Sequence, residues 1–277
     1  MSGIDLHTHT TASDGTLTPG ALVEEAVRRG LRVLAVTDHD STEAIGPARA
    51  RAAAHSLLEV VAGIELNTEG PAGEIHVLGY FVDHEAAWLG DLLREFREER
   101  TGRIHRIVER LAELGHGIDA EEVFALVQEG SAGRPHVAQV LVKHGHVGTV
   151  REAFDRFLGA GRPAYVGHRK VSPREACELI HRAGGQAVLA HPGFLDEPEA
   201  VIRDLAAGAR LDGVECYYAE HTAEQTARFV GLCRELSLAT TGGSDFHGPA
   251  VRAATLGRPS VPWPAWEDLL RRAGRGR

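Results

Sequence analysis

The stretch IDLHTHTTASDG near the start of the chain places two histidines and an aspartate, His7, His9 and Asp14, within eight positions. In an extended strand, side chains two positions apart point to the same side, so His7 and His9 would face one ligand together. Polar side chains are costly to bury without a partner, so we expect this group to bind something rather than to fill a core. Imidazole and carboxylate groups in such a cluster are typical ligands of a divalent metal ion.

Further histidines and acids stand at the ends of predicted strands or, in one case, inside a strand. They are His39 in TDHD, Glu65 in AGIEL, His76 in EIHVLGY, His191 in LAHPG, and Asp245 and His247 in SDFHG. In parallel α/β barrels the carboxyl ends of the strands form the face that carries ligands and catalysis, so these side chains should converge on one rim. One such histidine is usually a satisfied structural group, but six histidines and three acids are not explained that way.

The residue types restrict the metal. Imidazole and carboxylate ligands without thiolate favour Zn, Mn or Fe, and so many histidines argue against Mg or Ca alone. One ion takes about four to six ligands, so the whole set predicts two or three divalent ions with bridging carboxylates. Mn²⁺ is our first choice, with Fe²⁺ or Zn²⁺ as the alternatives.

The elements that position these residues are short apolar runs alternating with helical patterns, which indicates βα units around a mostly parallel sheet. The predicted strands are Gly3–Thr8, Leu31–Thr37, Leu58–Leu66, Ile75–Phe81, Gln186–Ala190, Asp212–Cys216 and Leu238–Thr241. Helix starts are marked by N-cap residues at Thr18, Ser172 and Thr222. Seven strands with helices between them suit a barrel-like α/β fold better than a sandwich.

This rhythm breaks between residues 85 and 168, where the pattern is helical throughout. Apolar residues recur at helical spacing from 89 to 114, and further helices are predicted at 120–128, 135–143 and 150–157. We therefore predict that residues 1–84 and 169–277 form the barrel, and that residues 85–168 are an all-helical insertion that acts as a substrate lid.

Composition narrows the classes of function. The formal net charge of −9 excludes a broadly basic nucleic-acid footprint, although it leaves room for a local basic pocket. The three cysteines occur singly, which favours buried thiols in a reducing compartment, so a cytoplasmic location is expected. We find neither a signal-peptide pattern nor an apolar run long enough to span a membrane, and we infer no obligate protein partner.

Taken together, HxH with Asp14, TDHD, GIE, the strand histidine, AHP and SDFHG resemble the PHP (polymerase and histidinol phosphatase) superfamily over nearly the whole α/β part of the chain. The resemblance implies an α/β fold, a distorted (β/α)7 barrel of the PHP type that holds a trinuclear metal centre. It assigns His7, His9, Glu65 and Asp245 to one ion, Glu65, His76 and His191 to a second with Glu65 bridging, and Asp14, His39 and His247 to the third.

The HTHTTASDG start, the helical insertion and GRPHVAQVLV resemble one subgroup, the 3′,5′-nucleoside bisphosphate phosphatases and related 5′-3′ exoribonucleases. In that subgroup the residues matching Arg134 and His136 grip the second phosphate of the substrate, a role that suits a guanidinium beside an imidazole. The alternative is that Arg134 is a solvated residue at a helix start. Lys170, or Arg169 beside it, would add positive charge, and Ser244 would contact the phosphate or serve as a turn residue.

The predicted reaction is hydrolysis of the 3′-phosphate of 3′,5′-bisphosphonucleotides by a metal-activated hydroxide, with 5′-3′ exonuclease action on short RNA as a second activity. His7, His9, Glu65, His191 and Asp245 are the expected catalytic residues. The sequence also leaves three alternative functions open. They are a phosphatase of another small monoester such as histidinol phosphate, a metal-dependent amide or ester hydrolase, and a non-catalytic metal-binding module associated with proofreading.

Overall fold

Seven strands form one sheet within the described residues, and each strand lies beside its neighbours in the chain. They are β1 (Ile4–Asp5), β2 (Val33–Val36), β3 (Glu59–Gly70), β4 (Gly73–Tyr80), β5 (Gln186–Leu189), β6 (Gly213–Tyr218) and β7 (Ala239–Gly243). The structure, a computed structural model, describes residues 3–70, 73–126, 132–159, 161–167, 171–249 and 254–276. Each of the seven predicted strand segments overlaps an observed strand, and the predicted α/β fold class is confirmed.

The strand β4 runs against both of its neighbours. The pairs β1–β2, β2–β3, β5–β6 and β6–β7 are parallel, whereas β3–β4 and β4–β5 are antiparallel. The connection from Gly70 to Gly73 is too short for a helical crossover, so β3 and β4 can only form a hairpin. The start of β4 consequently lies at the same edge of the sheet as the end of β3.

The two ends of the sheet meet through the segments that follow β1 and β7. The Leu6 amide donates to the carbonyl of Gly242 at 3.2 Å, and the His9 amide donates to Phe246 at 2.9 Å. Thr8 and Phe246 also form an isolated parallel bridge. These bonds nearly close the sheet into a barrel and bring the first and last motifs of the chain side by side.

The helices follow in chain order. They are α1 (Pro19–Arg28), α2 (Ile45–Ala52), α3 (Ala87–Glu113), α4 (Ala120–Ala125), α5 (Arg134–Lys143), α6 (Val150–Ala153), α7 (Pro173–Arg182), α8 (Pro198–Gly208), α9 (Ala223–Leu236) and α10 (Trp263–Arg272). The caps expected at Thr18, Ser172 and Thr222 all accept the predicted backbone N–H bonds. Among the described residues, no helix has the length and apolar character needed to cross a bilayer.

The chain divides into two compact units, Met1–Gly90 with Lys170–Arg277, and Asp91–Arg169. In the first unit, apolar side chains of several strands pack together with Trp266 and Leu269 of α10. The second unit contains only helices and turns among its described residues, and its core includes Ile107, Val137 and Leu141.

Two helix ends in the second unit differ from the sequence prediction. The helix predicted at 120–128 ends at Ala125, and residues 127–131 lie outside the described part of the chain. The helix predicted at 150–157 consists of α6 followed by a π-helical turn, Phe154–Leu158, which the Gly159 amide closes by donating to Phe154 at 2.8 Å. Such widened turns arise from i→i+5 hydrogen bonds, which residue spacing alone does not reveal.

Candidate metal centre

Glu65 lies at the centre of the predicted cluster and is only 1% exposed. It sits in β3, and its two carboxylate oxygens contact five imidazoles. Oε2 lies 3.1 Å from His7 Nε2, 3.3 Å from His9 Nε2 and 3.1 Å from His39 Nδ1, and Oε1 lies 3.0 Å from His76 Nδ1 and 3.1 Å from His191 Nε2. A carboxylate in this position is suited to bridge two ions.

His76 reaches this cluster because β4 is antiparallel. It lies near the start of β4, opposite Asn67 of β3, two positions beyond Glu65. In a parallel strand this position would have lain away from the carboxyl-end rim. The strand reversal therefore supplies one of the imidazoles that contact Glu65.

Two aspartates complete the cluster. Asp245 Oδ1 lies 3.1 Å from His9 Nε2 and 3.4 Å from both His7 Nε2 and His247 Nδ1. Asp14 approaches His247 Nε2 at 3.2 Å, His9 Nδ1 at 3.4 Å and His39 Nε2 at 3.7 Å. The structure thus brings all nine sequence-predicted positions together.

Eight of the nine side chains, all except His191, fall into three groups with ligand atoms within 4.8 Å of one another in the described part of the chain. The groups are His7, His9, Glu65 and Asp245; His9, Asp14, His39 and His247; and His39, Glu65 and His76. The first matches the set expected for one ion, and the second adds His9 to the expected set. In the third group His39 stands where His191 was expected, although His191 still contacts Glu65. Which ion each residue holds stays a prediction.

The chemistry of this donor set fits divalent cations. His9 Nε2, His39 Nδ1 and His247 Nε2 are buried and make no hydrogen bond within the described residues. Each nevertheless lies 3.1 to 3.2 Å from a carboxylate oxygen. Nitrogen and oxygen lone pairs at this separation repel unless a proton or a cation lies between them.

The electrostatics lead to the same conclusion. Burial lowers the pKa of His9 and His76, but the surrounding carboxylates outweigh it and raise these pKa values to about 10 and about 9. Burial raises the pKa of Glu65 and Asp245, but the imidazoles outweigh it and hold both pKa values well below their ordinary range. For His39, burial prevails and lowers the pKa to about 4. The cluster is therefore a set of ionised carboxylates that requires positive charge, which either protonated imidazoles or bound cations would supply.

Sequence reasoning missed Glu215, which lies in β6 and is fully buried. The His7 Nδ1–H donates to both of its oxygens, at 3.0 and 3.2 Å, and the backbone amide of His191 donates to Oε2 at 2.9 Å. With Nδ1 protonated, the lone pair of His7 is on Nε2, the atom that faces Glu65 and Asp245. The available signal was a charged residue inside the otherwise apolar and aromatic run GVECYY.

Other buried groups hold the ligand loops in place. Asp38 accepts from the Thr10 amide at 2.7 Å and from the Ser13 hydroxyl at 2.6 Å, which shapes the loop between His9 and Asp14. The Tyr218 hydroxyl donates to Asp245 Oδ2 at 2.9 Å. Because Oδ2 is held in this way, Oδ1 is the Asp245 oxygen directed at the imidazoles.

Ser244 belongs to a similar network around Asp5. Its amide and hydroxyl donate to Asp5 at 2.9 and 2.6 Å, and the Gly257 amide adds a third bond at 2.7 Å. Burial raises the pKa of Asp5 to about 6, although these hydrogen bonds oppose the shift. Ser244 is thus buried and occupied within its own loop, and its contact with substrate stays a prediction.

Arg134 and His136, two of the predicted phosphate-binding residues, lie in the second unit. The Arg134 guanidinium donates to the carbonyl of Leu158 at 3.2 Å and lies over the rings of Phe154 and Tyr165, at 5.8 and 5.4 Å from their centroids. His136 Nδ1 accepts from the Gly133 amide at 3.0 Å, so its neutral ring carries the proton on Nε2. Both side chains are half-buried and present N–H donors. Arg169 and Lys170 lie outside the described residues.

Comparison with known proteins assigns the family. The family model named PHP domain matches residues 5–86, the part of the chain that carries six of the nine predicted ligands. The chain is 35% identical to the 5′-3′ exoribonuclease Rnm of Escherichia coli, over 95% of this chain and 94% of that protein. It is 31% identical to the 3′,5′-nucleoside bisphosphate phosphatase of Chromobacterium violaceum, over 97% of both chains.

Two further similarities concern chemistry and fold. The phosphoribosyl 1,2-cyclic phosphate 1,2-diphosphodiesterase of Eggerthella lenta is 31% identical over 91% of this chain and 97% of that protein. A solved structure from Bifidobacterium adolescentis, assigned as a metal-dependent phosphoesterase, superimposes with a TM-score of 0.75 at 31% identity, covering 99% of this chain and 96% of that one. Fold, ligand geometry and relatives agree on a metal-dependent phosphoesterase. The chain belongs to the PHP family.

Proposed function

We propose that this protein is a 3′,5′-nucleoside bisphosphate phosphatase that also removes nucleotides from the 5′ end of short RNA. The observation that carries the proposal is the set of three ligand groups, which share His9, His39 and Glu65 and would therefore hold ions close to one another. Relatives over almost the full chain carry one or the other of these activities in their names. We propose two or three divalent ions in these groups, with Mn²⁺ as the preferred metal and Fe²⁺ or Zn²⁺ as alternatives.

Closely spaced divalent ions supply a nucleophile at neutral pH and neutralise charge on a phosphoryl group when they are bound. The residues of the chain prepare for this chemistry. Glu215 keeps the Nε2 lone pair of His7 directed into the cluster, and the Tyr218 hydroxyl holds Asp245 Oδ2 so that Oδ1 faces the imidazoles. Burial of His7, His9, Glu65, Asp245 and His247 lowers the local dielectric and strengthens their electrostatic contacts.

The second phosphate is the feature that separates bisphosphonucleotides from simple monoesters. Arg134 is suited to bind it because its aromatic neighbours and the Leu158 carbonyl hold the guanidinium in one orientation. His136 would add the Nε2–H donor, and Lys170 would add positive charge. A guanidinium held in this way loses little side-chain entropy when it binds phosphate bidentately.

A substrate panel tests the proposal. Mn²⁺-loaded protein should release phosphate from adenosine 3′,5′-bisphosphate much faster than from histidinol phosphate, and it should shorten a 5′-phosphorylated oligoribonucleotide from the 5′ end. Faster turnover of histidinol phosphate would refute the substrate assignment. If the protein hydrolyses only cyclic phosphodiesters, its activity would match the name of the Eggerthella relative instead.

Substitution of Arg134 tests the phosphate contact. We expect Arg134→Ala to raise the KM for the bisphosphonucleotide about 10- to 100-fold, the effect of losing one charge-assisted hydrogen-bonding partner. The KM for a single phosphate ester should change little. Arg151→Ala, which removes an exposed arginine of α6, is the matched control. Equal losses on both substrates would remove Arg134 from a role in selecting the second phosphate.

A further inference from the structure

An aromatic side chain lies exposed beside the metal centre. Phe194 ends a short 3-10 turn, Pro192–Phe194, which directly follows the predicted ligand His191. Its side chain is 59% exposed, and its ring centroid lies 5.6 Å from that of His191 and 5.7 Å from that of Tyr218. Both neighbours belong to the centre, because His191 contacts Glu65 and Tyr218 holds Asp245.

The turn that presents Phe194 is firmly held. The Gly193 amide donates to His221 Nε2 at 3.1 Å, and His221 Nδ1–H donates in turn to the Cys216 carbonyl of β6, also at 3.1 Å. The Phe194 amide donates to the His191 carbonyl at 3.3 Å. A Cβ on Gly193 would come within 2.6 Å of the His221 ring, so backbone and ring pack in close contact. Phe194 is therefore presented from a fixed support rather than from a loose loop.

The contacts of the Phe194 ring leave much of its surface open. Tyr218 meets it nearly edge-on, with an interplanar angle of 84°, and His191 meets it at 59°. An aromatic ring held in a fixed position beside a cluster of charged side chains can contact the apolar part of a ligand whose charged part binds the cluster. A ligand that satisfies both features has a charged phosphate at one end and a flat aromatic group at the other.

We propose that Phe194, supported by Tyr218, is a stacking platform for the base of the substrate nucleotide, an inference that rests on the proposed function. Every base presents a π-face, so stacking on a phenyl ring favours nucleotides as a class without selecting one base. Because the turn already holds the ring in place, binding costs little conformational entropy, and more of the stacking energy contributes to affinity. Such a platform would bind the base of a free nucleotide and the terminal base of an RNA in the same way. Phosphate esters without a base would bind less tightly because they lack this contact.

The test compares Phe194→Ala and Phe194→Trp on paired substrates, adenosine 3′,5′-bisphosphate and its abasic analogue 1-deoxyribose 3,5-bisphosphate. Loss of one stacking contact should raise the KM of the alanine variant about 5- to 150-fold on the nucleotide. Its kinetics on the abasic analogue should match those of the unsubstituted protein, and the tryptophan variant should retain nucleotide binding. Leu57→Ala, which removes another exposed apolar side chain, is the control.

The outcomes are distinguishable. Equal losses on the nucleotide and the abasic analogue, or no loss on either, would overturn the platform while leaving the phosphatase assignment intact. If the unsubstituted protein turns over neither bisphosphate, the proposed function has failed. The platform is then judged by calorimetric titration with adenosine 5′-monophosphate against ribose 5-phosphate: a loss of affinity for the first alone in Phe194→Ala supports it, and unchanged affinity overturns it.

Discussion

Removal of the Glu215 carboxylate should disable the metal centre without touching a predicted ligand. Glu215→Ala leaves two buried donors, His7 Nδ1–H and the His191 amide, without their acceptor. Each orphaned buried donor costs about 1–3 kcal/mol, so the expected loss in free energy of unfolding is roughly 2–6 kcal/mol. Loss of a carboxylate that orients a metal-binding histidine typically lowers metal affinity or activity by about 10- to 100-fold.

The conservative variant Glu215→Gln separates orientation from simple packing. Glutamine fills the same volume but offers one acceptor oxygen, so it can serve one of the two donors well. We expect its metal affinity and its stability to lie between those of the unsubstituted protein and Glu215→Ala. Glu215 contacts His7 and His191 and is not among the predicted substrate-binding residues. At saturating metal, the rise in KM should therefore be small compared with the fall in metal affinity.

Metal content by elemental analysis, Mn²⁺ titration and urea unfolding with and without a chelator measure these effects. Glu235→Ala is the matched control, because Glu235 is an exposed glutamate of the same unit paired with Arg203, and such surface pairs contribute little. If Glu215→Ala binds Mn²⁺ as tightly as the unsubstituted protein and keeps its kcat, the orienting role of Glu215 is refuted.

Two further predictions concern pH and backbone packing. The pKa values of His9 and His76, about 10 and about 9, exceed the unfolded value of 6.5, so their stabilising contribution is complete below pH 6.5 and is lost as pH rises through 9 and 10. Chelated protein should therefore lose stability in urea unfolding between pH 6.5 and 9 more steeply than Mn²⁺-loaded protein; parallel profiles would contradict this charge balance. A Cβ at Gly243 would lie 2.4 Å from His7 N, whereas Gly231 in α9 has open space around it. Gly243→Ala should lower metal content and activity, and Gly231→Ala should be neutral or stabilising by about 0.5–1 kcal/mol; normal metal binding by Gly243→Ala would show that the barrel relaxes around the methyl group.

The convergence of the nine predicted ligands could be read from sequence because it depends on topology. His39 and His191 follow apolar strands, and parallel strands end at a common edge. Even His76 obeys this logic once β4 is reversed, since the short connection after Gly70 requires a hairpin. The positions of the strands along the chain therefore determine which side chains share a rim, and the apolar runs of the sequence predict those positions.

The sequence did not predict which ligands group together within the cluster. His39 joins Glu65 and His76, and His9 is shared by two groups, because distances of a few ångströms depend on strand twist and side-chain rotamers. Glu215 escaped notice because its partner His7 lies 208 positions away in the chain. The aromatic support of Arg134 was hidden for a similar reason, since Phe154 stands in a π-helical turn that periodicity does not predict.

Backbone strain explains why the centre depends on so many parts of the chain. Asp40, His191 and Asp245 adopt positive φ angles of 47°, 25° and 52°, a region that costs non-glycine residues of order 1–3 kcal/mol each. Each donates its amide at 2.9 Å to another part of the centre: Asp40 to the Glu65 carbonyl, Asp245 to the His7 carbonyl, and His191 to the Glu215 carboxylate.

Glycine would relieve the strain at all three positions, yet the chain has none there. At His191 and Asp245 the side chain contacts the cluster directly, and Asp40 accepts hydrogen bonds from Asn67, two positions beyond Glu65. The side chain is therefore retained for its chemistry and the strained backbone is held by hydrogen bonds from other ligand segments. It follows that loss of one segment should loosen the others, so ligand geometry and closure of the barrel are a single cooperative property.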